Sequence, residues 1–248
     1  MSKINLEYIF PTAVYTIQLE GMDKIHKDLI NHIYSLKTES TTAEDYTHLK
    51  GDIDSYHNHP PNHLDEQGKL VESSTQGGWY TNDLDTNNIY IKPLTQKLFP
   101  LINTIGENLG WDLEKYSIYC DKMWSIVNPQ YSYNTSHTHN NSILSCAYYL
   151  KIPKNMKGGE FIFEDPRTVC NFFPMPKVLE NVPKTTSTTI GTTNGRCNEI
   201  AIKPEEGLLI VFPSWVAHKV RAHYNNSNRI VLSFNLSHKE KETQEEEW

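Results

Sequence analysis

The second half of the sequence, from about residue 113, consists of short segments rich in β-branched and aromatic residues, separated by Gly, Pro and Asn. This pattern is typical of short strands joined by tight turns. The segments that we interpret as strands are residues 117–128, 142–152, 159–165, 199–203, 207–213 and 229–236. Six or more short strands in one half of a chain predict a β-sandwich or jelly-roll barrel. The expected fold class is therefore mainly β.

The first half predicts two helices that flank this core. Apolar residues at spacings of three and four indicate a helix over residues 22–37. A second apolar stripe indicates a helix over residues 91–109, which contains Pro100 and therefore either kinks or begins there. Residues 5–20 predict a short strand region. The polar segment 40–90 predicts long loops or short strands, and segment 168–198, rich in Thr, Pro and Asn, predicts an insertion or hairpin. We expect both segments to supply a lid and substrate contacts.

We predict one domain over residues 1–248, in which three parts have different roles. The helical and loop-rich part, 1–112, packs on a core formed by residues 113–237, and residues 238–248 form a charged tail. A chain of this length is compatible with a single large β-rich domain plus additions.

Composition excludes several classes of function. The longest apolar run covers residues 207–212, whereas a membrane-spanning helix needs about 20 apolar residues. The net charge is −7, from 23 basic and 30 acidic residues, which argues against a nucleic-acid or anionic-membrane partner. The four cysteines, at positions 120, 146, 170 and 197, form no CxxC pair. We interpret them as free thiols, and together with an N-terminus that lacks a signal-peptide pattern they predict a cytoplasmic protein.

The most informative motif is His137-Thr138-His139, which directly precedes the strand predicted at 142–152. Side chains two residues apart on an extended chain point to the same side. Two imidazoles in this arrangement can bind one metal ion. His218 follows the strand predicted at 207–213, and a strand that ends in this histidine would hold a third ligand rigidly.

Arg229 begins the last predicted strand, and the chain contains only four arginines. The planar guanidinium binds a carboxylate through two parallel hydrogen bonds, which lysine cannot do. Val231, Ser233 and Asn235 follow Arg229 at steps of two and share its face of the strand. Ser233 and Asn235 are therefore expected to line the same cavity as Arg229.

The ordered set of these motifs resembles a known enzyme family. It comprises His137-Thr138-His139, Ala147-Tyr148-Tyr149-Leu150, Gly158-Gly159, Phe212-Pro213, His218 and Arg229. This set resembles the 2-oxoglutarate- and Fe(II)-dependent dioxygenases over about residues 120–237. The likeness is closest to the prolyl-hydroxylase-like branch and to the uncharacterised bacterial and phage proteins grouped with it. It implies a double-stranded β-helix (jelly-roll) core with iron at one mouth.

The resemblance also implies an activity and roles for individual residues. The expected reaction couples oxidative decarboxylation of 2-oxoglutarate, giving succinate and CO2, to hydroxylation of a substrate by O2. The expected catalytic and metal-binding residues are His137, His139 and His218. Arg229 and Tyr149, with Ser233 and Asn235 beside them, are the expected 2-oxoglutarate site. The substrate is left open between a small molecule and a protein side chain, with no nucleic acid and no membrane expected as partners.

One departure from the family pattern keeps alternatives open. The family usually has Asp or Glu where this sequence has His139. The ligands could therefore be His137 and His218 plus water, or the motif could be shifted so that His139 and Asn141 take the two positions. A non-catalytic jelly-roll module is a further alternative. So is a three-His dioxygenase of the cupin type that does not use 2-oxoglutarate, in which Arg229 would have no evident role.

Two tryptophans and two further histidines are expected to have structural or solvated positions rather than roles in a site. Trp124 and Trp215 are expected in the core, and His223 and His238 are expected at solvated positions. Because successive residues of a strand face opposite sides, only one of Tyr148 and Tyr149 can face the cavity.

Overall fold

The computed structural model describes residues 11–40, 63–64, 70–71, 74–81, 83–166 and 199–241. The insertion or hairpin predicted at 168–198 and much of segment 40–90 lie outside the described residues, as do Cys170, Cys197 and most of the charged tail. Within the described ranges, no helix combines the length and apolar character needed to cross a membrane.

The described part contains two helices, α1 (Asp23–Ser40) and α2 (Lys92–Asn108), and is otherwise built from strands. The strands are β1 (Tyr15–Gln18), β2 (His63–Leu64), β3 (Leu70–Val71), β4 (Thr75–Gln76), β5 (Trp79–Tyr80), β6 (Tyr116–Asn128), β7 (Tyr133–His137), β8 (Leu144–Lys151), β9 (Phe161–Glu164), β10 (Glu199–Ile202), β11 (Leu208–Pro213), β12 (His218–Val220) and β13 (Arg229–Glu240). β13 continues beyond the strand end predicted at residue 236, because its far half pairs with β6 as far as Glu240↔Tyr116.

The strands form two main antiparallel sheets. The larger sheet has the order β1-β11-β8-β13-β6-β5, and the smaller has the order β10-β9-β12-β7-β4. Side chains from both sheets meet in a shared apolar cluster and line one cavity. The predicted fold class, a mainly β jelly-roll core with flanking helices, is confirmed. The division into parts at residues 112 and 237 stays a prediction.

The two helices pack on the outer face of the larger sheet. Leu29 and Ile33 of α1 and Ile102 of α2 are completely buried in the cluster that also contains β8, β11 and β13 side chains. The helix predicted over residues 91–109 does not begin at Pro100, since α2 runs from Lys92 to Asn108 and contains this residue in its interior. Pro93, within the first turn of α2, occupies a position where a missing N–H costs little.

Alternation along the strands gives the larger sheet one face toward the helices and one toward the cavity. On β8, Tyr148 belongs to the helix-side cluster, whereas Tyr149 belongs to the cavity-side cluster. On β13, Leu232 packs toward the helices, and Val231 and Ser233 line the cavity. The period of two therefore places these cavity residues on β8 and β13, two inner strands of the larger sheet that are paired on both sides.

One positional expectation was wrong. His218 does not end the strand at 207–213; β11 ends at Pro213, a turn follows, and His218 is the first residue of β12 in the other sheet. The chain crosses between the sheets here because Pro213 ends the ladder and Val216 N–H closes the turn on Pro213 O at 3.0 Å.

A buried histidine on α1 predicts how stability depends on pH. His26 Nε2 lies 2.7 Å from the Tyr148 hydroxyl oxygen, and Nδ1 lies 3.6 Å from Glu206 Oε1. Burial lowers the pKa of His26, although Glu206 and Asp23 act in the opposite direction. The pKa of His26 is therefore higher in the unfolded chain, at about 6.5, than in the folded protein, and the unfolded chain binds the proton first as pH falls. The contribution of His26 to the free energy of unfolding is complete above about pH 6.5 and declines below it. We expect His26→Gln to lose less stability than the unmodified chain between pH 7 and pH 5, measured by urea unfolding. Equal losses would contradict this prediction.

Candidate metal centre

The three predicted histidines lie together at one mouth of the cavity. Their candidate ligand nitrogens are all within 4.8 Å of one another. His137 ends β7 and pairs directly with His218 at the start of β12. His139 lies beyond the end of β7, where its backbone N–H donates to Ser214 O at 2.9 Å. The turn between β11 and β12 thereby holds the segment after β7 in place.

Hydrogen bonds define the tautomer of each imidazole. His137 Nδ1–H donates to Thr135 O at 2.8 Å, and His218 Nδ1–H donates to Val216 O at 2.9 Å. His139 Nδ1–H donates to Asn235 Oδ1 at 2.6 Å. Because these oxygens can only accept, the proton lies on Nδ1 and the Nε2 lone pair is free. This is the state in which a histidine binds a metal ion.

Burial keeps the three histidines neutral by lowering their pKa values. Burial lowers the pKa of His137 and of His139. Burial, followed by repulsion from His137, lowers the pKa of His218 to about 3. Phe161 stacks on the His218 ring at a centroid distance of 5.2 Å, and Phe212 contacts its edge at 4.7 Å. Three neutral, oriented imidazoles with free Nε2 atoms fit a divalent transition metal such as Fe(II).

Arg229 lies in the same cavity and is almost completely buried, with 1% of its surface exposed. Its Nη1 donates to Gly159 O at 3.1 Å, but its buried Nε has no hydrogen-bond partner. Across the described ranges, no carboxylate forms an ion pair with it. An unpaired buried cation is strongly unfavourable, so this position suits an anionic ligand. Burial lowers the Arg229 pKa from its ordinary value, but a guanidinium that starts above 12 stays charged at neutral pH.

The other predicted cosubstrate residues take different places. Tyr149 lines the cavity, and burial raises its pKa to about 12 even though the Arg229 charge acts in the opposite direction. Its hydroxyl therefore stays protonated and can donate. Ser233 also lines the cavity. The Asn235 carboxamide contacts His139 and Ser145 and is not among the residues that line the cavity.

Part of the chain matches the sequence model of a known protein family. Residues 122–235 match the sequence model described as "Putative 2OG-Fe(II) oxygenase". This segment is similar to the 2OG-Fe(II) oxygenase family. The matched range contains the histidine cluster, Tyr149 and Arg229. The match agrees with the enzyme class predicted from the sequence and with the predicted cofactors, Fe(II), 2-oxoglutarate and O2. No curated protein matches the chain in sequence.

Solved structures with the same fold are distant in sequence. A prolyl hydroxylase from Trichoplax adhaerens, in complex with a hypoxia inducible factor peptide fragment, is 14% identical with a TM-score of 0.56, covering 91% of this chain and 84% of that chain. Iron-bound HygX from Streptomyces hygroscopicus is 8% identical with a TM-score of 0.51, covering 91% of this chain and 82% of that chain. At these identities the comparison shows the shared oxygenase fold.

One wall of the cavity was not predicted from the sequence. Three residues at alternate positions of β6 line the cavity together: Trp124, Ile126 and Asn128. The Trp124 and His139 ring centroids are 5.8 Å apart, and the Asn128 Oδ1 atom is buried without a partner. The alternation of these residues was the available signal, but it does not tell which face of a strand borders a cavity.

Two further expectations were wrong. Trp215 was expected in the core, but 56% of its surface is exposed in the turn that leads to His218. His223 was expected to be solvated, but it is completely buried, and its Nε2–H donates to Asn128 O at 3.0 Å. Its backbone pairs with Gly158, where a φ of +73° and the clash that any Cβ would make with Ala222 O require glycine. His238 is exposed, as expected.

Proposed function

We propose that His137, His139 and His218 bind Fe(II) through their Nε2 atoms, and that Arg229 and Tyr149 bind the far carboxylate of 2-oxoglutarate. The observation that carries this proposal is one cavity with a neutral, oriented histidine cluster and an unpaired buried cation. Asn235, beside the cluster, lies six residues along β13 from Arg229. That is roughly 20 Å of strand, which leaves room for a long arginine side chain and a five-carbon diacid between them.

Each residue has a defined task in this proposal. The iron, when bound, would supply open coordination positions for 2-oxoglutarate and O2, and with them the oxidative chemistry. The Arg229 guanidinium would pair with the carboxylate through its fork, and the Tyr149 hydroxyl would donate to the same group. Phe161, Phe212 and Val231 would keep bulk water from the reacting atoms.

His139 changes the charge of this site relative to the usual family pattern. Two histidines and a carboxylate reduce the net charge at a ferrous ion by one unit, whereas three imidazoles do not reduce it. A more positive centre favours the dianionic 2-oxoglutarate. A three-His dioxygenase without this cosubstrate, or a jelly-roll module without turnover, would leave the buried charge of Arg229 without a role.

The proposed substrate belongs to one of two broad classes. The Trichoplax neighbour was solved with a peptide, and HygX has been solved with nickel, 2-oxoglutarate and hygromycin B. A protein side chain and a small molecule are therefore both reasonable substrate classes for this oxygenase.

Cys120 and Cys146 are free thiols, which agrees with the reducing cytoplasm that we propose as its location.

Anaerobic titration tests the proposal. We expect that adding Fe(II) and then 2-oxoglutarate to the metal-free protein produces a visible charge-transfer band, which neither addition produces alone. Succinate, which lacks the 2-oxo group, is the matched control and should give no band. Iron binding without a band would contradict the cosubstrate site, and absence of iron binding would contradict the histidine site.

A further inference from the structure

The side chain of Asn235 forms a hydrogen-bonded group behind His139. Asn235 Oδ1 accepts from His139 Nδ1–H at 2.6 Å and from the Ser145 hydroxyl at 3.0 Å. Asn235 pairs with Ser145 across β13 and β8. The Ser145 hydroxyl is also 2.9 Å from that of Ser214, and both serines are completely buried. The carboxamide is therefore held on a rigid part of the larger sheet.

His139 depends on this group more than the other two histidines depend on theirs. The Nδ1–H groups of His137 and His218 donate to carbonyls two residues earlier in their own segments. Local backbone therefore sets the tautomers of these two rings. His139 lies outside any strand, and its Nδ1 partner is a side chain 96 residues away.

A histidine ligand needs such a partner where a carboxylate ligand does not. A carboxylate has two oxygens with several lone pairs, whereas a neutral imidazole has one lone pair for the metal. If the Asn235 amide were turned so that Nδ2 faced His139, Nδ1 would have to accept. The proton would then lie on Nε2, and His139 could not bind a metal ion.

We propose that Asn235 is a positioning residue that holds His139 in the Nδ1–H tautomer, with Nε2 directed toward the metal. This inference rests on the proposed iron site and deepens it. In this view, Asn235 and its serine partners allow an imidazole to function where the family usually has Asp or Glu.

Two substitutions at Asn235 test the proposal. Asn235→Leu keeps the approximate size but removes the acceptor, and we expect the dissociation constants for Fe(II) and Co(II) to rise about 10- to 100-fold. Asn235→Asp can only accept, so we expect metal binding at least as tight as in the unmodified chain. Affinities would be measured anaerobically by competition with a chelating dye. The ¹⁵N shifts of the metal-free protein would report the His139 tautomer, and we expect a mixture of tautomers in Asn235→Leu.

Asn225→Leu is the matched control. Asn225 accepts from Lys157 N–H at 2.9 Å and donates to Lys154 O at 3.2 Å in a turn outside the site. This change removes hydrogen bonds of the same type and should leave metal affinity unchanged.

The results separate this inference from the proposed function. Unchanged affinity in Asn235→Leu, together with lost affinity in His139→Ala, would overturn the role of Asn235 and leave the iron site intact. Equally weakened binding in Asn235→Asp and Asn235→Leu would also overturn it, because Asp preserves the acceptor. Absence of metal binding by the unmodified chain would overturn the proposed function and this inference with it.

Discussion

The replacement His218→Ala should strongly weaken Fe(II) binding by this protein. His218 contributes one of three converging Nε2 lone pairs, and its ring is fixed by Phe161, Phe212 and Val216 O. Loss of an outer-shell partner alone typically reduces metal affinity 10- to 100-fold. We therefore expect the loss of a direct ligand to weaken Fe(II) binding by more than about 100-fold, and 2-oxoglutarate turnover to fall with it.

Thermal unfolding with and without metal measures this effect. Ligand binding to the native state raises its stability, so saturating Co(II) should raise the Tm of the unmodified protein but not that of His218→Ala. His238→Ala is the control, because His238 is exposed, packs edge-on against Tyr116 and does not line the cavity. An equal metal-induced rise in Tm in His218→Ala would contradict the assignment of His218 as a ligand.

The second large effect is expected for Arg229→Ala, which should lose affinity for 2-oxoglutarate while keeping affinity for the metal. Hydrogen bonds to charged groups contribute about 1.5–3 kcal/mol each. The loss of a bidentate pair should therefore cost about 3 kcal/mol or more, at least a hundredfold in the dissociation constant. Calorimetric titration of 2-oxoglutarate into the metal-loaded protein would measure this loss.

The folded protein should tolerate the change in Arg229. Removing a buried, unpaired charge relieves a desolvation cost, which offsets the lost hydrogen bond from Nη1 to Gly159 O. Arg221→Ala is the matched control, because Arg221 is half-exposed and its Nη2 pairs with Glu199 at 3.2 Å. Unchanged 2-oxoglutarate affinity in Arg229→Ala, or an equal loss in Arg221→Ala, would contradict the assigned role.

Local patterns of the sequence predict the elements of this fold well. The spacing of apolar residues predicts α1, and the alternation on β8 correctly separates Tyr148 from Tyr149. The ordered motifs also predict that the His-x-His pair, His218 and Arg229 meet, and the structure brings all of them to one cavity. These predictions succeed because each depends on periodicity or on the chemistry of a few side chains, both of which are written in the sequence itself.

Other properties depend on contacts between distant segments. The sequence did not show that His218 begins a strand of the smaller sheet, that Trp215 is exposed or that His223 is buried. Nor did it separate Ser233, which lines the cavity, from Asn235, which supports His139, although both face the same side of β13.

Periodicity and motif order in the sequence were thus enough to predict the mainly β fold, the resemblance to the oxygenase family and the set of side chains that meet in the cavity. The tertiary structure alone decided which side chains border the cavity and which hydrogen bonds set the His139 tautomer. The physical reason is that periodicity fixes the face on which a residue lies, whereas burial and hydrogen-bond partners are fixed only when β6, β8 and β13 pair.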